Sequence, residues 1–262
     1  LYDDNNQDRT PLTDHMEKLV RLLEEKGLEV VRTKDLCRVK EEFDAAAELF
    51  NREKVDAIIT QHLAYSPSLE SIEALLSLEA PIVVFDTTPD YQLLAVQENY
   101  NGIDNNHGIH GVQDMCNLLL RNNKPYYLCC GHALHSEVVS EVVGMCRAAK
   151  VAENYKNMIV GSVGGSFTNM GDFLVSDEEY KSSIGCTVKY MTPEVTAKYV
   201  PMVTEEEIDA EIAEDAKNYR VTVKNEENYR AATKSGLAVR KWMEAEGIDA
   251  EAFEKGDDGG DV

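Results

Sequence analysis

Five short apolar runs, "LEVVRT" (28–33), "VDAIIT" (55–60), "PIVVFD" (81–86), "PYYLCC" (125–130) and "MIVGSV" (158–163), alternate with stretches whose apolar residues recur at helical spacing. Continuous β-branched runs between amphipathic helices are the pattern of a parallel sheet covered on both faces. The first helical stretch, "RTPLTDHMEKLVRLLEEKG", shows the logic. Thr10 can cap it, Pro11 suits the first helical position, and Leu12, Met16, Leu19, Val20 and Leu23 share a face before Gly27 ends the run. Further helices are expected through Phe50, over 68–78, from Gly108 to Arg121 and from His135 to Lys150.

The expected fold is therefore α/β: a doubly wound, Rossmann-like parallel-sheet domain over residues 1–155, followed by part of a second α/β domain over 156–262. The second part carries a glycine-rich loop (161–165), a strand near "CTVKY", and acidic helices around 204–218 and 226–246. Tyr229, Ala232, Leu237, Val239, Trp242 and Met243 form the apolar set of the last helix. A domain of this kind should open with a strand, yet Leu1-Tyr2-Asp3 reads as the loop after one, and "FEKGDDGGDV" at the end abandons every apolar pattern. The expectation is a fragment whose first strand is missing.

With 262 residues and 43% apolar content, the chain has enough material for one large or two ordinary cores. No run of about 18 or more apolar residues and no basic-then-apolar leader occurs, so a cytoplasmic protein is expected, with no membrane partner. A net charge of −22, without a basic stripe, repels a phosphate backbone and argues against nucleic acid. The six cysteines form no CxxC pair and sit mostly in apolar patterns, as reduced structural thiols do.

In open parallel sheets ligands bind beyond the carboxyl ends of the strands. The loops there are rich in hydrogen-bonding side chains: "QHLAYS", "DTTPD", "GHALHS" and "GGSFTNMGD", joined by "YDDNNQDR" near the start and "NNHGIHGVQDM" (105–115). A polyhydroxylated ligand suits such a rim. His107 with His110, and His132 with His135, have spacings found in metal sites, but neither pair has an obvious third ligand, and loop histidines are more often solvated or bonded to backbone. "GSVGGSF" lacks the Walker lysine and does not match GxGxxG, so a tight turn is the better reading than a phosphate cradle. Gln113 and Asp114 can simply solvate the first turn of their helix, and Met170 can be a hydrophobic plug.

The segments "LYDDN", "PIVVFDTTP", "NHGIHGVQDMCNLLLR", "CCGHALHSEVVSEVVGMCRAAKVA" and "VGSVGGSFTNMGDFLVSDEEYKSSIGCTVKYM" occur in this order and resemble the amino-terminal half of the L-fucose/L-arabinose isomerase family, from Leu1 to about Tyr190. The resemblance implies an aldose–ketose isomerase that moves a proton between C1 and C2 through an ene-diol. It also implies a divalent cation, Mn2+ or a similar ion, whose acidic and histidine ligands lie in the later half of family members and are absent from this chain. Catalytic residues are therefore expected elsewhere, and this chain alone should be inactive. What carries over is sugar contact by His107 or His110, with Met170 near the sugar and Gln7 and Arg9 on a loop that often reaches across a subunit boundary in a homo-oligomer. The competing reading is a non-catalytic sugar-binding or regulatory module. A redox role for Cys129-Cys130 is weaker, because adjacent cysteines bond only with strained geometry.

Overall fold

A computed structural model describes residues 10–92, 106–165, 171 and 175–253. The chain divides into two compact units, Leu1–Val151 and Ala152–Val262.

The first unit contains α1 (Thr10–Glu25), α2 (Lys40–Glu53), β1 (Ile58–Thr60), α3 (Ile72–Ser77), β2 (Ile82–Asp86), α4 (Gly108–Arg121), β3 (Tyr126–Cys130) and most of α5 (Val138–Asn157). β1, β2 and β3 form one parallel sheet in that order, with Ile58 opposite Ile82 and Ile82 opposite Tyr126. β2 is central, and all five of its residues are buried. Side chains alternate across a strand, so β2 serves two cores. Ile82 and Val84 pack with Phe43, Ala47, Leu75, Val112, Met115 and Leu119 from α2, α3 and α4. Val83 and Phe85 pack with Leu19, Leu23, Val138 and Val142 from α1 and α5. Helices thus cover both faces, as the continuous apolar run of "PIVVFD" requires.

Local chemistry sets the helix ends. Glu42 accepts from the backbone amides of Arg38 (2.7 Å) and Val39 (3.4 Å) at the start of α2, and Lys54 closes that helix in the left-handed region at φ 52°. The expected helix over 68–78 is broken into a 3-10 turn, Ser68–Glu70, and the short α3. Asp114 on α4 accepts from both the amide (3.1 Å) and the hydroxyl (2.7 Å) of Ser68 and so fastens the start of that turn to α4.

Two expectations about strands are corrected. No strand forms at 28–33, although Leu28 and Val30 pack into the same core as Ile59. A strand needs a neighbour to take its backbone groups, and among the described residues the amides of 29–37 donate to no other backbone group. The run 158–163 does become β4 (Ile159–Val163), but it pairs with β5 (Thr187–Tyr190) and β6 (Ala250–Phe253) in a second parallel sheet, ordered β5-β4-β6. The strand expected over 158–163 thus belongs to a different sheet from β1, β2 and β3.

That second sheet belongs to the second unit, with α6 (Asp177–Ser183), α7 (Pro193–Tyr199), α8 (Glu205–Asn218) and α9 (Glu226–Glu246). Val163, Tyr199, Ile208, Ala238, Val239, Trp242 and Ile248 form its core. Gly161 explains why the glycine-rich run is strand and not cradle at its start. A Cβ there would lie 3.0 Å from the Trp242 ring and 3.2 Å from Ile248, so glycine lets the indole lie against β4. Among the described residues no helix is long and apolar enough to cross a membrane.

α4 offers a direct test of the packing. Leu119 is fully buried and its neighbour Leu120 is 63% exposed. Leu119→Ala should lower unfolding free energy by about 2–5 kcal/mol, whereas Leu120→Ala should change it by less than about 0.5 kcal/mol. Urea unfolding followed by far-ultraviolet circular dichroism distinguishes them; equal effects would contradict this register of α4.

Candidate functional site

Beyond the carboxyl ends of β1, β2 and β3, three loops meet the amino-terminal end of α4. Hydrogen bonds tie them together. Asp86 at the end of β2 accepts the Gly131 amide on its carbonyl (3.0 Å), and Thr87 Oγ1 accepts the Ala133 amide (3.1 Å), which joins the loops after β2 and β3. Asn106 and Asp90 bond reciprocally: the Asp90 amide donates to Asn106 Oδ1 (3.1 Å) and Asn106 Nδ2 donates to Asp90 Oδ2 (2.8 Å). The Ser68–Asp114 bonds fasten the loop after β1 to α4.

Glycine spacing on α4 admits a histidine underneath. A Cβ on Gly108 would sit 2.2 Å from the His62 carbonyl oxygen, and one on Gly111 would sit 2.5 Å from His62 Cδ2. The two glycines are three apart, hence on one helical face, and His62 fills the space that their missing side chains leave. Burial drives the His62 pKa down to about 4, opposed only weakly by Asp114, and its Nδ1 is buried without a partner.

The other histidines gather on the same rim. His107 stands just before α4 and His110 in its first turn, with ring centroids 4.3 Å apart and edge to face. Tyr65, from the loop after β1, stacks on His107 at 5.7 Å. A second group joins Tyr91 to His135 (4.2 Å) and His132 (5.4 Å). His132 Nδ1 accepts the Leu134 amide (3.2 Å), so neutral His132 carries its proton on Nε2, which is buried and unpaired. His15 on α1 is coupled to His132 and Asp90, and burial first, then Lys18, brings its pKa to about 4. All six histidines of the chain thus belong to the carboxyl edge of one sheet. The arrangement offers imidazole donors and acceptors beside aromatic faces.

His107 and His110 are brought together as the sequence expects. Met170, Gln7 and Arg9 lie outside the described residues. Asp114 does more than solvate a first turn, since it anchors Ser68. His62, Tyr65, Tyr91 and His15 were not singled out by motif; the pair Gly108 and Gly111 is the signal that a neighbouring ring must approach α4 closely. Among the described residues, no three or more His, Cys, Asp or Glu side chains come together as a metal site. Asp86 is buried, which raises its pKa, and Cys130 donates weakly to it at 3.5 Å. Burial raises the pKa of both Cys129 and Cys130 and all six cysteines are free, so neither adjacent thiol is activated as a nucleophile. No protein-family model matches the chain, and no curated protein matches it either.

Buried neutral histidines make stability depend on pH. The folded pKa of His62 lies below the unfolded value of about 6.5, so the unfolded chain binds more protons and stability is lost as pH falls from about 6.5 towards 4. His15 acts in the same direction, and Asp86, whose pKa is raised, acts in the opposite one. His62→Phe keeps a ring under α4 and removes the titration, so the loss of unfolding free energy between pH 7 and pH 4, measured by urea titration, should be smaller by up to about 3 kcal/mol. An unchanged slope would mean that His62 is not held neutral. Gly108→Ala should destabilise by about 1–3 kcal/mol, because the clash is with the His62 backbone, which cannot rotate away.

Proposed function

We propose that the chain supplies the substrate-binding edge of an aldose–ketose isomerase, holding a small sugar of the L-fucose or L-arabinose type at His107, His110 and Tyr65. The observation that carries this reading is the His107–His110–Tyr65 group at the start of α4, on the carboxyl side of the parallel sheet. Ligands of doubly wound α/β domains sit on that side, and this proposal takes the first unit to be such a domain. Each imidazole offers hydrogen bonds to a hydroxyl, and the tyrosine ring covers an apolar sugar face. The resemblance of "HGIHGVQDM" to the family's sugar-contacting segment points to the same residues.

The reaction implied is proton transfer between C1 and C2, with a divalent cation stabilising the enediolate. The described residues do not fit that cation: a hard ion such as Mn2+ prefers carboxylate and carbonyl oxygen, whereas the groups gathered here are paired imidazoles. No step is therefore assigned to it. The role of this chain is to bind and orient the sugar, and the protein is a homo-oligomer in which further residues hold the metal and move the proton.

Saturation-transfer NMR with L-arabinose and L-fucose tests this on the 262-residue chain. Binding is expected, and His107→Ala and His110→Ala should each weaken it by roughly 2- to 12-fold, the range for one net hydrogen bond, with little change in stability. The bound sugar should not be isomerised, with or without manganese. Unaltered binding in both variants would remove this segment from the site; manganese-dependent isomerisation by the chain alone would overturn the assignment of catalysis to other residues.

A further inference from the structure

We propose that the cleft along the free edge of β1 is the seat of one more parallel β-strand, which enters from the amino-terminal side of α1 in the same polypeptide. The cleft has a volume of about 1510 Å³, above the usual range of about 300–1,000 Å³ for small-ligand pockets. Its lining is mostly apolar: Leu19 and Leu23 from α1, Ala46 and Phe50 from α2, together with the segment 28–33 and the residues of β1. Both of those last walls have unused backbone groups. The Ile58 amide donates to Pro81 at 2.9 Å, which turns the backbone of residue 58 towards β2 and, by the alternation of a strand, that of residue 59 away from it. Among the described residues the amides of Ala57, Ile59 and 29–33 donate to no other backbone group.

Helix placement decides the direction of entry. α2, α3 and α4 pack on one face of the sheet and α1 on the other. Crossovers between parallel strands are right-handed in about 98% of cases, so helices reached while the chain advances in one direction share a face. α3 and α4 accompany the advance from β1 to β2 to β3, and α2, on their face, accompanies an advance from 28–33 to β1. α1, on the opposite face, must accompany a step in the reverse direction. That step starts from a strand on the β1 side of 28–33 and ends at 28–33, so its origin is the cleft. The residues Asp3 to Arg9 are all polar and do not supply a buried apolar run. The occupant is a β-branched apolar strand of about five or six residues, the usual length, buried on both faces between α1 and α2.

The test compares the 262-residue chain with two extended forms, one carrying Lys-Val-Ile-Val-Val-Val ahead of Leu1 and one carrying Lys-Ser-Gly-Ser-Gly-Ser. Amide hydrogen exchange should slow by at least about tenfold at Ile59 and across 29–33 in the apolar form alone, with a higher Tm than the polar form. If the apolar form precipitates, Lys-Val-Thr-Val-Thr-Val keeps the β-branched shape and is used in its place. Fast exchange at these amides in every form would overturn the proposal. So would protection already present in the unextended monomer. Protection that follows dimerisation of the unextended chain in sedimentation would give the cleft to a second copy and overturn it equally.

Discussion

The first unit depends on the burial of β2 on both faces. Ile82, Val83, Val84 and Phe85 are at most 1% exposed, and each such side chain contributes about 1.5–3 kcal/mol of transfer free energy when buried. Because successive residues point to opposite faces, a single strand holds α2, α3 and α4 on one side and α1 and α5 on the other. A shift of register by one residue would exchange the two sets. The strand also fixes where Asp86 and Thr87 emerge, and these two groups bind the loop after β3. The rim is therefore an outcome of packing several residues below it.

On that rim the decisive contact is close approach of backbone and ring. Gly108 and Gly111 let His62 lie against α4, and the Ser68–Asp114 bonds prevent the loop after β1 from lifting away. His107 and His110 then project beside Tyr65, and the Asn106–Asp90 pair holds the loop after β2 against the start of the same helix. Two histidines held neutral by burial, His62 and His15, lie at the base, with others accessible at the rim. Under the proposed function this separates support from contact: His62 and His15 shape the site from below, while His107 and His110 would meet the sugar.

Much of this was legible in the chain. α4 starts and stops where its apolar spacing and flanking residues put it, at Gly108 and Arg121, and α9 runs from Glu226 to Glu246 as its pattern requires. The strand at 82–86 announced its double burial by having no polar alternation. What could not be read was non-local. "LEVVRT" has the composition of a strand, but strand formation depends on a neighbour that the segment itself does not encode. "MIVGSV" is a strand whose sheet is chosen by partners at 187–190 and 250–253, far along the chain. β6, in a stretch of ordinary polarity, gave no periodic signal. Nor does any motif mark His62; its place follows from two glycines whose lack of side chains matters only once the loop after β1 is folded against them.

Imidazole NMR tests the central claim most directly. In long-range proton–nitrogen spectra of the six histidines, His62 and His15 should remain neutral until pH falls well below 6.5, towards about 4. Addition of L-arabinose or L-fucose at neutral pH should shift the ring signals of His107 and His110 and leave those of His62 nearly unchanged. Sugar-induced shifts confined to other histidines, or none at any histidine, would contradict the assignment of this sheet edge as the sugar-binding surface.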